Sequence, residues 1–465
     1  MAHWHSNCLA VCQNNIHLQE GDTADLSNFR PISLLSTLYK LLSGVIASRL
    51  VLTATELEWV SAEQKGFLPG LHGIQEHTEM LLSAIAFSKK KKSDLSIVFL
   101  DLANAFGSLP HAYLDALFQS LPLPEVLKEL LSDIYRSNSA DFMVGSQAIT
   151  VALSSGVRQG DGLSSIVFNL AGEPIIRVVK LYLTAGFRMF GVTLKVLSYA
   201  DEMTIAADDR EILQMVLNLV IQKLPSLVFI SPKCAKLAQE WGCPAVAAPL
   251  YIGEIAIREL LASESEEHLS TPIGSRLCFR LPNTLPSMLT SVADSLLSPW
   301  QKLEVFRGFL MPSFSHHFAS GRVLKKDLYE LDLKCREFLS EIVNVPGNAI
   351  TDFFYADRNA GGLGAPKLSV EADIWTLAQA VQLLSSPDPV VRAVSWGQLT
   401  QNIKLALRYD LPDPPPFTEY LSGSTQRGFY GHRDMFDVRF SRQGDNMWGR
   451  ARKAAMHLNE LAAKQ

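Results

Sequence analysis

The sequence predicts an α+β fold: helices and short strands mixed to about residue 275, then a helical region, then a basic tail. Three observations predict it. Two short apolar runs, 96–100 and 192–198, stop at acidic residues, as buried strands do at a sheet edge. Long apolar stretches at helical spacing surround them. From about residue 285 strand-like alternation gives way to helical periodicity.

In chain order, 34–51 reads as a first helix and 74–88 as a second, closed by the run Lys89 to Lys92. Residues 96–100 (Ser-Ile-Val-Phe-Leu) read as a buried strand ending at Asp101. Helices are expected near 112–121 and 124–137, and a hairpin over 141–153 about Gly145-Ser146. A long helix runs from Gly162 to about Tyr182. The apolar runs 192–198 and 203–207 flank Tyr199-Ala200-Asp201-Glu202, which predicts a hairpin with an acidic tip; a helix over 209–223 follows. Later helical segments are 299–311, 325–343 and 368–386, and the proline-rich break 411–416 sets off an irregular basic tail. The expected domains are therefore 1–275, 276–410 and 411–465, with no internal repeat.

With 465 residues, 48% hydrophobic and 19% charged, the chain can bury two or three cores. Its net charge of −5 argues against a surface that is basic throughout, so contact with nucleic acid has to be local. Two basic patches offer themselves: Lys89 to Lys92, and Arg427 to Lys453 with seven Arg or Lys against three Asp. Either reads equally as a solvated face. No run of about 18 uncharged apolar residues suggests a membrane span. The apolar run from Cys8 to Cys12 is too weak for a secretory signal, so an intracellular place, nucleus or cytoplasm, is expected. The six scattered cysteines suit a reducing compartment. His3, His5, Cys8 and Cys12 match no common zinc spacing.

A carboxylate ending a buried strand is costly to desolvate without a partner. Two strands here end in acids, 100 residues apart. As sheet neighbours they would bring Asp101, Asp201 and Glu202 together, able to hold two divalent ions about 3.5–4 Å apart for transfer to a 3′-hydroxyl. Spacing alone leaves a second reading, in which Asp101 caps a turn and Asp201-Glu202 is a solvated hairpin tip.

The neighbouring motifs bear on that choice. Phe99-Leu100-Asp101-Leu102-Ala103-Asn104-Ala105-Phe106 resembles the first catalytic motif of reverse transcriptases. Gly156-Val157-Arg158-Gln159-Gly160-Asp161-Gly162-Leu163-Ser164, with Phe168-Asn169-Leu170 in the helix after it, is similar to the second, and Tyr199-Ala200-Asp201-Glu202 to the third. Upstream, Asn28-Phe29-Arg30-Pro31-Ile32-Ser33-Leu34 and Gln64-Lys65-Gly66-Phe67 with Gly70 and Gly73 resemble fingers segments of non-LTR retrotransposon enzymes. Leu269-Ser270-Thr271-Pro272-Ile273-Gly274, the stretch from Trp300 to Pro312, and Gly361-Gly362-Leu363-Gly364-Ala365-Pro366 resemble the site-specific lineage that carries a restriction-like endonuclease. The resemblance covers roughly residues 25–400.

It implies a right-hand polymerase fold, with fingers and palm built on a small antiparallel sheet, followed by a helical thumb. It implies an RNA-directed DNA polymerase working with Mg²⁺, or Mn²⁺, on an RNA template, a DNA primer and deoxynucleotides. Asp101, Asp201 and Glu202 become metal ligands, with the backbone at Leu102 beside them. Phe106 takes the place that screens the sugar 2′-hydroxyl. Arg158, Gln159 and Gly160 would meet the incoming nucleotide and template base, and Arg30 and Lys65 the triphosphate. Lys233 would be the general acid for pyrophosphate. Nothing here specifies an oligomeric state.

The departures from the family's pattern cluster in the same motifs. Glu202 stands where the family has a second Asp, which sets its carboxylate about 1.5 Å further out. Ala103 and Gly107 replace charged residues, and Gly162 and Ser165 replace prolines. The segment Val11-Cys12-Gln13-Asn14-Asn15 lacks the family's lysine, and no Cys-Cys-His-Cys cluster follows Cys335. These changes lead us to expect a truncated, divergent copy with weakened polymerisation. A nucleic-acid or protein binder of the same fold, or a remnant of an element, are the alternatives they raise. Target cutting is not expected of this chain alone.

Overall fold

The computed structural model describes residues 13–18, 29–102, 104–136, 139–144, 147–223, 234–281, 283–346, 350–407, 420–421 and 447–464. The expected α+β class is what it shows: small, mostly antiparallel sheets first, then helices. Lys233, Gly145-Ser146, Ala103, the His3–Cys12 group, the proline-rich break and most of the second basic patch lie outside the described residues.

The first described elements are β1 (Gln13–Leu18) and β2 (Phe29–Leu34), antiparallel to each other. The first helix therefore starts later than its apolar pattern suggests. β2 takes residues up to Leu34, and Ser36 then caps α1 (Thr37–Glu56) by accepting the Tyr39 amide at 3.2 Å. The second helix, α2 (Gly73–Lys91), extends through the lysine run, placing Lys89, Lys90 and Lys91 in the last turn, where the helix dipole favours cations.

Then come β3 (Leu95–Asp101), α3 (Ala105–Ser108), α4 (His111–Ser120) and α5 (Glu125–Tyr135). The expected hairpin is β4 (Ser139–Val144) with β5 (Gln147–Ala152), and β4 also pairs with β1. The long helix is α6 (Gly162–Tyr182), with Asp161 as its cap.

One expected strand is two. Residues 192–198 break at Lys195 into β7 (Val192–Leu194), which pairs back onto β6 (Phe187–Met189), and β8 (Val196–Tyr199). The turn Phe190-Gly191, with φ of 48° and 81°, makes the first hairpin and pulls 192–194 out of the central sheet. After β9 (Glu202–Ala207) come α7 (Arg210–Lys223), β10 (Ala235–Glu240) and β11 (Cys243–Pro244). Short strands follow: β12 (Tyr251–Ile252) paired with β13 (Ile255–Ala256), β14 (Arg258–Glu259) beside β10, and the hairpin β15 (Ser265–His268), β16 (Thr271–Gly274). Among the described residues the helices α8 (Leu285–Ala293), α9 (Pro299–Val305), α10 (Ser315–Ala319), α11 (Lys325–Ile342), α12 (Thr351–Tyr355), α13 (Leu368–Leu384), α14 (Pro389–Leu407) and α15 (Met447–Lys464) follow.

The central sheet has the order β11-β10-β3-β9-β8 and is covered on both faces. Val98 and Leu100 of β3 join one core with α1, α6 and α7; Leu95, Ile97 and Phe99 join another with α2. Burial on both faces explains why β3 reads as an unbroken apolar run.

The second core corrects two expectations. Leu383, Val394 and Ile403 of the helical region, and Trp448 beyond residue 411, pack into it with α2 and β3. Part of the supposed separate domain thus covers the central sheet, and the supposed irregular tail contains an 18-residue helix, α15. A third core runs from Leu281 to Ala372.

The sequence suggested no membrane span, but two helices, Thr37–Glu56 and Gly162–Tyr182, are long and apolar enough to cross one by length and composition. The second is mostly buried, as a core helix is; the first exposes Leu38, Leu41 and Val45.

Candidate active site

The acidic tip is a two-residue turn. Tyr199 pairs with Glu202, which leaves Ala200 and Asp201 between β8 and β9, with Ala200 at a φ of 54°. A left-handed alanine stores about 1–2 kcal/mol and persists only where its surroundings hold it. Gln64 does the holding. Its buried amide oxygen accepts the Ala200 and Gly66 amides, each at 2.9 Å, and its amide nitrogen donates to Ser198 Oγ at 2.9 Å. The Lys65 amide adds a bond to the Ser198 carbonyl at 2.9 Å. Gly66 allows the approach, because a Cβ there would lie 2.4 Å from the Ala200 nitrogen. Asn169, in α6, donates to the Gly66 carbonyl at 2.7 Å and fixes the loop from below. Gln64 and Asn169 both sit inside motifs read from the sequence, yet nothing in the sequence showed what they hold.

β3 brings Asp101 beside this turn, in register with Glu202 across the antiparallel ladder. Its backbone amide meets Cys234 Sγ at 3.5 Å. Asp101, Asp201 and Glu202 line one open cleft of about 230 Å³, whose other wall is Glu266, Glu267 and His268 of β15. Sequence reasoning missed that wall, since those residues carry no motif. Leu102 is buried directly after Asp101.

Among the described residues, no three His, Cys, Asp or Glu side chains already converge into a metal cage. Two carboxylates at an open cleft still fit a hard divalent ion that keeps some waters and takes substrate oxygens. Glu202, the third expected ligand, lines the same cleft but is also engaged by the chain itself. Its Oε2 accepts the Leu269 amide at 2.9 Å and lies 3.2 Å from His268 Nδ1. Burial pushes the His268 imidazole down to about 4, so it is neutral at this contact.

The remaining expected contacts divide. Phe106 is half-buried, stacked on Phe168 with ring centroids 4.7 Å apart and edge-on to Phe67 at 6.1 Å, one turn of chain beyond Asp101. Gly160 has a φ of 104°, and a Cβ there would lie 3.0 Å from the Ser33 carbonyl; the Gln159 carbonyl accepts the Ser33 amide at 2.8 Å. These two residues brace β2. Arg30 lies in β2, opposite His17.

Arg158, expected at the incoming nucleotide and template base, and Lys65, expected at the triphosphate, are both buried against other groups of the chain. The Arg158 guanidinium is buried over the Tyr39 ring, 5.2 Å from its centroid, with Tyr39 bonded to Asp161 at 2.8 Å. Burial, then the Asp161 charge, push the Tyr39 hydroxyl far above its ordinary range. Lys65 is buried between two carboxylates, Glu76 at 2.5 Å and Asp388 at 2.6 Å, and Ser386 Oγ donates to the other Glu76 oxygen at 2.6 Å. A cation so paired and dry has no charge left for a triphosphate.

Residues 19–237 match the reverse transcriptase (RNA-dependent DNA polymerase) family. The chain is 26% identical over 406 residues to the retrovirus-related Pol polyprotein of the type-1 retrotransposable element R2 of Nasonia vitripennis, a match covering 83% of this chain and 39% of that protein. It is likewise 26% identical over 386 residues to the Pol polyprotein of a type-2 retrotransposable element of Drosophila melanogaster, covering 81% of this chain and 35% of the relative. The chain thus spans well under half the length of either. Among solved structures, telomerase from Candida tropicalis in complex with a fragment of telomeric RNA aligns at a TM-score of 0.41 and 11% identity, over 84% of this chain and 64% of that one, a likeness too loose to carry an inference.

Proposed function

Because residues 19–237 form a reverse-transcriptase domain like those of non-LTR retrotransposon Pol polyproteins, we propose that this chain is an RNA-directed DNA polymerase, extending a DNA primer on an RNA template with deoxynucleotides. The observation that supports it most is the meeting of Asp101, at the end of β3, and Asp201, on a turn clamped by Gln64, in one open cleft. Strand ends fixed by a buried sheet hold the two carboxylates in place before any ligand arrives, which is what pre-organised catalysis requires.

Asp101 and Asp201 would hold the divalent ions, Mg²⁺ by preference and Mn²⁺ as a substitute. When bound, these ions activate the primer 3′-hydroxyl and stabilise the leaving pyrophosphate. Phe106, its ring fixed by Phe168 and Phe67, presents an aromatic face that excludes a ribose 2′-hydroxyl. Gln159 and Gly160 keep the entrance to α6 against β2, so the fingers strand is positioned from the palm. Action inside the cell, in nucleus or cytoplasm, goes with this reading.

Primer extension on an RNA template, with Mg²⁺ and then Mn²⁺, tests it. Deoxynucleotide incorporation that disappears in Asp201→Asn is the expected result. No incorporation in either metal would refute the proposal, and extension surviving Asp201→Asn would refute the ligand assignment.

A further inference from the structure

We propose that Glu202 is a positioning residue: its carboxylate latches the tip of the β15–β16 hairpin over the cleft, and this latch, not metal ligation, is why a glutamate stands there. The assignment rests on Asp101 and Asp201 being the polymerase site.

The hairpin tip needs a latch. His268 pairs with Thr271, so Leu269 and Ser270 form a two-residue turn. Their φ values are 50° and 56°, both left-handed. Such a turn is the favoured hairpin geometry, but it suits Asn-Gly or Asp-Gly, not Leu-Ser. Two non-glycine residues in that conformation are held by their surroundings.

Three contacts do the holding from β9. Glu202 Oε2 accepts the Leu269 amide at 2.9 Å and lies 3.2 Å from His268 Nδ1, and His268 Nε2 is 3.4 Å from Thr204 Oγ1. The His268 ring is buried against Phe99, with ring centroids 5.5 Å apart. The far strand is tied in turn to α10, where Thr271 Oγ1 meets His316 Nε2 at 2.9 Å. The hairpin therefore joins the catalytic strands to the helical region, and its own residues Glu266, Glu267 and His268 form the cleft wall facing Asp101 and Asp201.

Side-chain length decides the identity at 202. An aspartate would stop about 1.5 Å short of the Leu269 amide. The sequence suggested that Glu202 overshoots a metal; the structure gives its extra methylene a destination.

Hydrogen exchange in the full chain, free of metal and nucleic acid, reads the latch directly. In Glu202→Asp, exchange at the Leu269 amide should rise about 10–100-fold, as expected for loss of a charge-assisted bond, while β3 and β9 stay protected. Glu202→Gln keeps an acceptor of the right length and should hold the turn within a few-fold. Adding Leu269→Asn with Ser270→Gly to Glu202→Asp supplies a turn that needs no latch, and should bring the exchange of the β15–β16 tip back within a few-fold of the original chain. Unchanged exchange at Leu269 in Glu202→Asp would overturn the proposal. So would an increase in kcat for Glu202→Asp, which is the signature of a ligand brought into range. A chain without polymerase activity would refute the function proposed above, and the exchange experiment would still decide the latch.

Discussion

Replacing Lys65 by methionine separates two roles for one cation, a triphosphate contact or the hub of a buried charge network. Methionine keeps the volume of the stem and removes only the charge. It leaves Glu76, whose side chain is 2% exposed, and Asp388, at 14%, without the ammonium they share. Breaking a buried ion pair by removing one partner costs about 3–5 kcal/mol. The lower end applies here, because Asp388 recovers some water and Glu76 keeps its bond from Ser386. At about 2–4 °C per kcal/mol for domains of 150–250 residues, and less for larger units, the Tm should fall by roughly 5–10 °C. Thermal unfolding measures this, beside the deoxynucleotide KM in primer extension. The expected result is a lower Tm with a KM that is unchanged once corrected for folded protein. Neutralising the acids as well, with Glu76→Gln and Asp388→Asn, should recover most of the loss. An unchanged Tm with a KM raised tenfold would refute the reasoning, since Lys65 would then be reaching phosphate.

Other outcomes follow from the same geometry. Phe106→Ala should admit ribonucleotides, measured as the ratio of ribonucleotide to deoxynucleotide incorporation; an unchanged ratio would reduce Phe106 to its packing on Phe168 and Phe67. Trp448→Ala should destabilise the chain by about 3–5 kcal/mol, because this fully buried ring packs in the core beneath the central sheet and donates to the Ser395 carbonyl at 2.9 Å; denaturant unfolding with wild-type stability would show that α15 does not belong to that core. His77 gives a pH dependence. It is fully buried, neither ring nitrogen has a hydrogen-bond partner among the described residues, and burial holds it neutral well below its ordinary 6.5. Below that pH the unfolded chain binds a proton that the folded chain refuses, so stability falls as pH drops through 6.5, by up to about 1.4 kcal/mol per pH unit. His77→Leu should flatten the slope between pH 6.5 and 5, and an equal slope in the variant would count against it.

By itself the sequence determined what depends on neighbours along the chain. An apolar run ending in Asp101, a turn carrying Asp201 and the long helix from Gly162 are local patterns of period and punctuation, and each appears close to its predicted place. What the side chains of the same motifs do was decided by tertiary structure. Lys65 reads as a triphosphate contact and Arg158 as a nucleotide and template-base contact because of the motifs they stand in. Their partners Asp388 and Tyr39 come from segments more than a hundred residues away, and one sequence carries no record of which distant charge will be buried beside which. The run over 192–198 divides for a different, local reason, since the turn at Phe190-Gly191 claims its first half for the β6–β7 hairpin. Glu202 shows the difference most directly. Its identity looked like a defect in a metal site, and only the fold brings the Leu269 amide within 2.9 Å of it, because the reach of a carboxylate has meaning only once the hairpin that it meets is in place.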